Sequence, residues 1–210
     1  MSSPIRLAVL ISGGGTTLQN FLDRIADGRL DARVVAVVSS KADAHGLVRA
    51  RNAGVPHAVV ERRACPSRAE FSRAAFDFCR AHQAELVCMG GFLQLVEIPP
   101  DFTLRVLNIH PALIPAFCGK GFHGLAVHRA ALEAGVKVSG CTVHFADNEY
   151  DHGPIVSQRV VPVEDDDTPE SLAARVFEQE CEAYPEAIAW FAAGRLRVQG
   201  RRVRLLPPGA

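Results

Sequence analysis

The chain has 210 residues, of which 48% are hydrophobic and 22% carry a charge. This is enough for a sizeable core but short for two full domains, so we expect a single domain over residues 1–210. The 23 Lys and Arg side chains balance the 23 Asp and Glu side chains, which leaves no net field to hold a polyanion. Nucleic acid is therefore not expected as the main partner.

The cysteines, histidines and apolar runs limit which cell compartment and which cofactors are possible. Six cysteines occur without a C-x-x-C pair, which favours free thiols in a reducing cytoplasm. No apolar stretch approaches the roughly 20 residues that span a bilayer, and the amino terminus lacks a signal-peptide pattern. No histidines or cysteines take a metal-binding spacing such as H-E-x-x-H. We expect a cytoplasmic protein with no membrane contact and no metal.

The first element is a buried strand that ends in a glycine turn. The apolar run Leu7–Ser12 is followed by Gly13-Gly14-Gly15-Thr16-Thr17, and a helical pattern begins at Leu18. Backbone N–H groups at such a helix start favour an anion. The turn has neither the lysine of a Walker A loop nor the third glycine of a dinucleotide site. Two interpretations stay open, a monophosphate cradle and a turn that lets the helix pack closely.

Strand and helix patterns then alternate along the chain. Further strands are predicted at residues 33–39, 57–60, 86–89, 140–146 and 155–163, and one more begins at Val106. Helices are predicted near residues 43–53, after Ser67, and at 125–134 and 169–191. This alternation predicts an α/β fold with an open, mostly parallel sheet. The short acidic turn 147–154 implies that the last two of these strands are antiparallel.

Two loops and the tail carry further signals. The apolar segment Phe92–Val96 follows Gly90-Gly91 and either lines a pocket for a flat aromatic ligand or packs in the core. Three glycines within Phe117–Gly124 indicate a mobile loop, which could form a lid. The arginines near the carboxyl terminus are expected on a solvated edge.

The strand from Val106 ends in polar side chains that can do chemistry. Asn108 and His110 are two residues apart and therefore project from one face, about 6 to 7 Å apart by the strand rise. An amide can donate to an oxyanion, and an imidazole can carry a proton near neutral pH. The alternative is a loop-capping amide and a structural histidine. In the half-buried strand 140–146, His144 is expected to pack or hydrogen-bond rather than to catalyse.

Four segments together resemble one enzyme family. They are Ile11 to Gln19, Asn108-Ile109-His110-Pro111, Gly140 to Phe145, and Asp151-His152-Gly153-Pro154-Ile155. The resemblance is to the phosphoribosylglycinamide formyltransferases, from Leu7 to about Arg197. It implies a Rossmann-like formyltransferase domain with helices on both sheet faces, in a monomer or homodimer that acts on small molecules. It also implies transfer of a formyl group from the co-substrate 10-formyltetrahydrofolate to the amine of 5-phosphoribosylglycinamide in purine biosynthesis.

The resemblance also assigns roles to individual residues. Asn108 would stabilise the tetrahedral oxyanion, His110 would donate a proton, and Asp151 would sit beside His110 and raise its pKa. The phosphoribosyl substrate would be bound by Gly15, Thr16, Thr17 and Glu180, the last of these at the ribose. Folate would be bound by Arg68, Leu93, Gln94, Leu95, Val96 and Asn108.

Several positions depart from the family pattern, and other functions compete. Gly14 and Thr17 replace common asparagines, Ala112 a common serine, and Gln94 an arginine of the folate site. Formyltetrahydrofolate deformylases share the catalytic residues but add an amino-terminal domain, for which Leu7 lies too close to the start. Methionyl-tRNA formyltransferases add a carboxyl-terminal RNA-binding domain, for which we expect no room. A non-catalytic binding module on the same fold is the third alternative.

Overall fold

A computed structural model describes residues 3–209, which divide into two compact units. The first unit ends at Leu107 and the second begins at Asn108. The first contains β1 (Ile5–Ile11), α1 (Thr16–Ala26), β2 (Ala32–Ser39), α2 (Gly46–Asn52), β3 (His57–Val59), α3 (Arg68–Ala81) and β4 (Leu86–Met89). Its strands lie in the order β3-β2-β1-β4, and all three neighbouring pairs are parallel.

The strands of the first unit form because they are apolar on both faces. Every residue of β1 except Arg6 is buried, and so is every residue of β4. Continuous apolar runs of this kind are typical of parallel strands covered on both sides. The predicted helix at 43–53 is shorter in the structure, because the Lys41–His45 segment forms turns before α2 begins at Gly46.

The second unit is entered through β5 (Val106–His110), whose first two residues belong to the first unit. It continues with α4 (Leu125–Glu133), β6 (Val138–Phe145), β7 (Ile155–Pro162), α5 (Pro169–Ala192), β8 (Leu196–Gln199) and β9 (Arg202–Leu205). The strand order is β5-β6-β7-β9-β8. The pairs β6–β7 and β8–β9 are antiparallel and β7–β9 is parallel. The predicted α/β class, mostly parallel with antiparallel strands near the carboxyl end, is confirmed.

Side chains of β6 and β7 fix the turn that follows β5. The Thr142 hydroxyl donates to the Ala112 carbonyl (2.7 Å) and accepts from the Ile114 N–H (3.1 Å). Gln158 donates to the same hydroxyl and to the Ile114 carbonyl, both at 3.0 Å. Because these buried backbone groups are all satisfied, the turn after His110 has a defined conformation.

For the second unit, one expectation was wrong and another was confirmed. Strand β6 is buried from Ser139 to Phe145 and is not half-buried, because α5 packs on it and its polar side chains are hydrogen-bonded inside the unit. The arginines of the tail lie on a solvated edge as expected: Arg197, Arg201, Arg202 and Arg204 are exposed, and they belong to a β8–β9 hairpin that ends the strand order. The start of α5 agrees with the sequence: Thr168 caps it through the Ser171 N–H, and Pro169 occupies the first turn.

Candidate active site

The carboxylate of Asp151 is the centre of a polar cluster in the second unit. The Asn108 side-chain amide donates to Oδ1 (3.2 Å), and the backbone N–H of Gly119 donates to Oδ2 (2.9 Å). The Nδ1 atom of His110 lies 3.5 Å from Oδ2. The two β5 side chains thus meet the same carboxylate from one strand face, which follows from their two-residue spacing. The structure brings together all three residues with a predicted catalytic role.

His144 is a fourth member of this cluster. Its Nε2 is 3.0 Å from the Asn108 amide nitrogen, and its Nδ1 is 2.9 Å from the Phe145 carbonyl oxygen. Since a carbonyl only accepts, the ring proton lies on Nδ1 and Nε2 accepts from Asn108. The sequence predicted a hydrogen-bonded histidine but not its contact with a catalytic residue. A register shift between Val143 and His144 in the β6–β7 pair changes the alternation at this position.

A close backbone approach holds the segment that carries Asp151. The Phe145 N–H donates to the Pro154 carbonyl (2.9 Å), and a Cβ on Gly153 would lie only 1.9 Å from the Phe145 carbonyl oxygen. Only glycine fits at this position. Asp151 itself has a φ of 51°, a left-handed conformation that is strained for a residue with a side chain. This explains the Asp-x-Gly-Pro element of the sequence.

The pKa values of His110 and Asp151 are both shifted downward. Burial lowers the pKa of His110; the Asp151 charge and the Phe117 carbonyl raise it, His144 lowers it, and the net shift is downward. The contribution of Asp151 to the His110 pKa has the predicted direction, but burial outweighs it. For Asp151, burial acts in the opposite direction and raises the pKa. This effect is outweighed by the rings of His144 and His110 and by the Gly119 N–H, so the pKa is lowered overall. At neutral pH the carboxylate is ionised and the His110 ring is mostly neutral.

The glycine-rich loop 117–124 contacts this cluster at two points. The Nε2 atom of His110 donates to the Phe117 carbonyl (2.9 Å), and Gly119 donates to Asp151. Phe117 has a positive φ of 49°, so the carbonyl is held in a strained backbone conformation. In this conformation the ring nitrogen of His110 that could face a substrate is already engaged.

Glu180 is half-buried on α5 and, among residues 3–209, has no hydrogen-bond or ion-pair partner. Burial alone raises its pKa to about 7. Val176 and Tyr184, four residues before and after it, are both buried, so Glu180 lies on the core-facing side of the helix. That periodicity was a usable signal against an ordinary exposed helix charge.

The glycine turn of the first unit has the features of an anion cradle and of close packing. Gly15 adopts a φ of 69° just before α1, and no side chain caps the first turn of the helix. A Cβ on Gly15 would lie 2.6 Å from the Cα of Gly46, so close packing also requires glycine here. Arg49, which the sequence did not single out, donates to the Gly14 carbonyl (2.9 Å) and places a positive charge beside the turn.

The proposed folate-binding segment is irregular and partly packed. Phe92 and Val96 are buried, whereas the three residues between them, Leu93 to Leu95, are half-buried. The Leu93 N–H already donates to the Ser12 hydroxyl (2.9 Å). Arg68 forms an exposed ion pair with Glu97 (2.8 Å), so its guanidinium is not free. Both interpretations of this segment, core packing and ligand lining, keep some support.

Residues 3–209 contain neither a metal-binding cluster nor a membrane-spanning helix. No group of three or more His, Cys, Asp and Glu side chains in that range could hold a metal ion. No helix in the same range is long and apolar enough to cross a membrane.

Known proteins are similar to this chain in sequence and in fold. The sequence matches the family described as Formyl transferase over residues 5–188. The phosphoribosylglycinamide formyltransferase of Haemophilus influenzae is 40% identical over 198 residues, covering 92% of this chain and 90% of that protein. Glycinamide ribonucleotide transformylase 1 from Symbiobacterium toebii has a TM-score of 0.90 at 48% identity, covering 99% of this chain and 96% of that one.

The competing deformylase interpretation has a structural relative as well. A formyltetrahydrofolate deformylase from Pseudomonas syringae pv. tomato gives a TM-score of 0.83 at 23% identity, over 98% of this chain and 67% of that one. This likeness shows a shared fold alone. The matches at higher identity confirm the resemblance read from the sequence: the chain belongs to the phosphoribosylglycinamide formyltransferase family, whose members are formyl-group transferases.

Proposed function

We propose that this chain transfers the formyl group of 10-formyltetrahydrofolate to the amine of 5-phosphoribosylglycinamide, with Asn108, His110 and Asp151 as its catalytic residues. The observation that supports these roles is the shared carboxylate, which Asn108 contacts at 3.2 Å and His110 approaches at 3.5 Å. Family membership supports the reaction and the co-substrate.

The reaction requires one proton to move between two nitrogens. The substrate amine attacks the formyl carbon, a C–N bond forms, and the carbonyl electrons move onto oxygen. The new ammonium then loses a proton and the folate nitrogen gains one, after which its C–N bond breaks and the carbonyl re-forms. His110 is suited to both transfers because one imidazole can accept and then return a proton.

The lowered pKa of His110 favours a ring that accepts a proton first. To accept a proton at Nε2, the neutral ring must first leave the Phe117 carbonyl and carry its own proton on Nδ1, which lies 3.5 Å from Asp151. Nε2 can then take a proton from the attacking amine and pass it to the leaving nitrogen. The ionised Asp151 then stabilises the imidazolium that has formed. His110 is therefore a proton acceptor first, which refines the proton-donor role drawn from the resemblance.

Asn108 is proposed to donate a hydrogen bond to the oxyanion, but its amide nitrogen already donates to two acceptors. One hydrogen points to Asp151 Oδ1 and the other to Nε2 of His144. Donation to an oxyanion at full strength therefore requires release of one of these bonds. The contact with the neutral His144 ring is weaker than the contact with the charged carboxylate and is released more easily.

Substrate binding is assigned to the glycine turn, to Glu180 and to the predicted folate-binding residues. The uncapped first turn of α1, at Gly15, Thr16 and Thr17, offers backbone N–H groups to the phosphate, with Arg49 adding charge. Glu180 accepts hydrogen bonds from ribose hydroxyls once it is ionised. Folate binding is assigned to Leu93, Gln94, Leu95, Val96 and Asn108. Arg68 would bind the acidic tail of the folate, for which its ion pair with Glu97 must open.

The family match and the cysteines also bear on the domain organisation, the cell compartment and the partners of the enzyme. The family match over residues 5–188 spans both compact units, which supports one formyltransferase domain over 1–210. All six cysteines are free thiols, which supports a reducing cytoplasmic location. We infer a monomer or homodimer that acts on small molecules, without nucleic acid or membrane as a partner.

An absorbance assay for loss of the formyl group from a 10-formylfolate donor tests the reaction. It is run with and without phosphoribosylglycinamide. We expect turnover that requires the amine. Amine-independent turnover would indicate a deformylase, and no turnover under either condition would indicate a binding module.

The His110→Ala variant tests the proton-transfer role. We expect kcat to fall by at least about 100-fold, the lower end of general acid–base contributions. His57→Ala is the control, since His57, like His110, is hydrogen-bonded to a backbone carbonyl, here that of Val55, but is half-buried and lies in the first unit. Near-normal turnover of His110→Ala would rule out the assigned role.

A further inference from the structure

The segment that carries Asp151 is held from its outer side by one arginine of the β8–β9 hairpin. Arg201 donates one bond to the His152 carbonyl (2.7 Å) and a second to Nε2 of the His152 ring (2.8 Å). It therefore grips both the main chain and the side chain of the residue that follows Asp151. No signal in the sequence analysis pointed to this contact.

The other side of the His152 ring is tied to the start of the same loop. Its Nδ1 atom lies 2.7 Å from Oδ2 of Asp147. Arg201 has only donors, so Nε2 must accept and the ring proton must lie on Nδ1, where it is donated to Asp147. The three residues form a continuous chain of hydrogen bonds from Asp147 through His152 to Arg201, which we call the 147–152–201 clamp.

The clamp is placed where the backbone needs support. Asp151 has a positive φ of 51°, a conformation that persists only when its surroundings over-determine it. On the inner side, Asn108 and Gly119 hold the Asp151 carboxylate. On the outer side, Arg201 holds the next peptide group, just before β9 pairs with β7 at Ile155 and Arg202.

The other arginines of the hairpin do not make such contacts. Arg197 and Arg204 are exposed, and neither has a side-chain partner among residues 3–209. Arg195 donates to the Leu206 carbonyl (2.7 Å), a contact that ties the hairpin to the chain end. Arg201 is thus distinguished within an otherwise solvated basic tail.

We propose that Arg201 is a positioning residue for catalysis, acting through His152 and Asp147 to fix the direction in which Asp151 presents its carboxylate to His110. This inference rests on the proposed function, because it assumes that Asp151 supports the chemistry. Arg201 donates its hydrogen bonds to His152 and none of them to Asn108, His110 or Asp151. The β8–β9 hairpin thus supports the loop that carries Asp151.

Arg201→Ala, compared with Arg204→Ala, tests the proposal. We expect kcat of Arg201→Ala to fall about tenfold, as loss of one or two hydrogen bonds that fix a catalytic group implies. KM for both substrates and the unfolding temperature should stay close to those of Arg204→Ala. The Gly119 N–H, which is bonded to Asp151, should exchange faster with solvent in Arg201→Ala alone.

Two further variants separate the parts of the clamp. Arg201→Lys keeps a donor that can reach the His152 carbonyl, so kcat should recover in part. His152→Ala keeps the carbonyl contact and removes the ring, so its kcat should lie between those of the wild type and Arg201→Ala. The same kcat for Arg201→Ala and Arg204→Ala would overturn the proposal, as would a loss explained entirely by a lower unfolding temperature.

The two hypotheses fail in distinguishable ways. If Asp151→Asn is strongly impaired while Arg201→Ala is not, the clamp has no positioning role and the proposed function stands. If Asp151→Asn is itself fully active, the proposed role of Asp151 fails, and the positioning hypothesis fails with it.

Discussion

Asp151 and Glu180 are two partly buried carboxyl groups of the same unit with opposite electrostatic behaviour. Asp151 has donors or histidine rings at both oxygens, and its pKa is lowered. Glu180 has no partner among the described residues, and burial raises its pKa to about 7. The same chemical group is therefore a fixed charge in one place and a group that changes its protonation at neutral pH in the other.

The difference follows from the elements that carry the two residues. Asp151 follows a strand and faces polar side chains of β5 and β6, which converge at the carboxylate. Glu180 lies on the core-facing side of a helix, between the buried residues Val176 and Tyr184. A fixed charge suits the stabilisation of an imidazolium. A carboxyl without a protein partner keeps its acceptor positions available for a ligand.

Asp151→Asn should give the largest effect, because it converts the fixed charge into a neutral group of the same shape. We expect kcat to fall by about 100- to 1000-fold, within the usual range for acid–base catalysis. The Asp151 charge raises the pKa of His110, so its loss lowers that pKa further. The acid limb of the kcat profile should therefore move to lower pH.

Asp166→Asn is the control for this experiment, since Asp166 is exposed on the loop before α5. An acid limb that stays in place in Asp151→Asn would count against the electrostatic pairing with His110. A small loss of kcat would show that the shared carboxylate is structural.

Glu180→Gln should have a smaller effect, on binding rather than on turnover. A carboxylate accepts from two hydroxyls, whereas an amide accepts through only one of its atoms. At pH 8 we expect KM for phosphoribosylglycinamide to rise about tenfold, which corresponds to one charge-assisted hydrogen bond. Near pH 6, where Glu180 is mostly protonated, the difference should narrow. An equal rise in Glu178→Gln, an exposed position of α5, would contradict the assignment.

The same substitution should have its smallest effect on stability. The Glu180 pKa is raised in the folded state, so its stabilising contribution is present below the unfolded value and is lost as pH rises through about 7. Glu180→Gln should therefore stabilise the protein by about 1 kcal/mol at pH 8, allowing for partial solvation, and by nothing measurable at pH 4. Thermal unfolding at both pH values measures this, and a gain at pH 4 would contradict it.

The sequence was most informative where local patterns decide the outcome. The β5 spacing placed Asn108 and His110 on one face, and the structure joins them through one carboxylate. Thr168 and Pro169 correctly marked the start of α5. Asp151 came only from the family resemblance, because its distance from β5 along the chain is not encoded in any local pattern.

Other features depend on tertiary structure and could not be read locally. The contact of His144 with Asn108 occurs beside a register shift, which strict alternation does not anticipate. The net fall of the His110 pKa could not be predicted from the sequence, because the depth of burial that outweighs the Asp151 charge is set by the fold. The role of Arg201 depends on a hairpin whose arginines look alike in the sequence.

The Phe117 carbonyl that accepts from His110 also enters the thermodynamics of ligand binding. A ligand that needs the same ring nitrogen competes with the enzyme's own backbone, so its apparent dissociation constant is the intrinsic one divided by the fraction of molecules with His110 released. A hydrogen bond of about 1 kcal/mol weakens apparent affinity about fivefold. The strained φ of Phe117 offsets part of this cost. An inhibitor whose own acceptor replaces this carbonyl would form the hydrogen bond to His110 in its place.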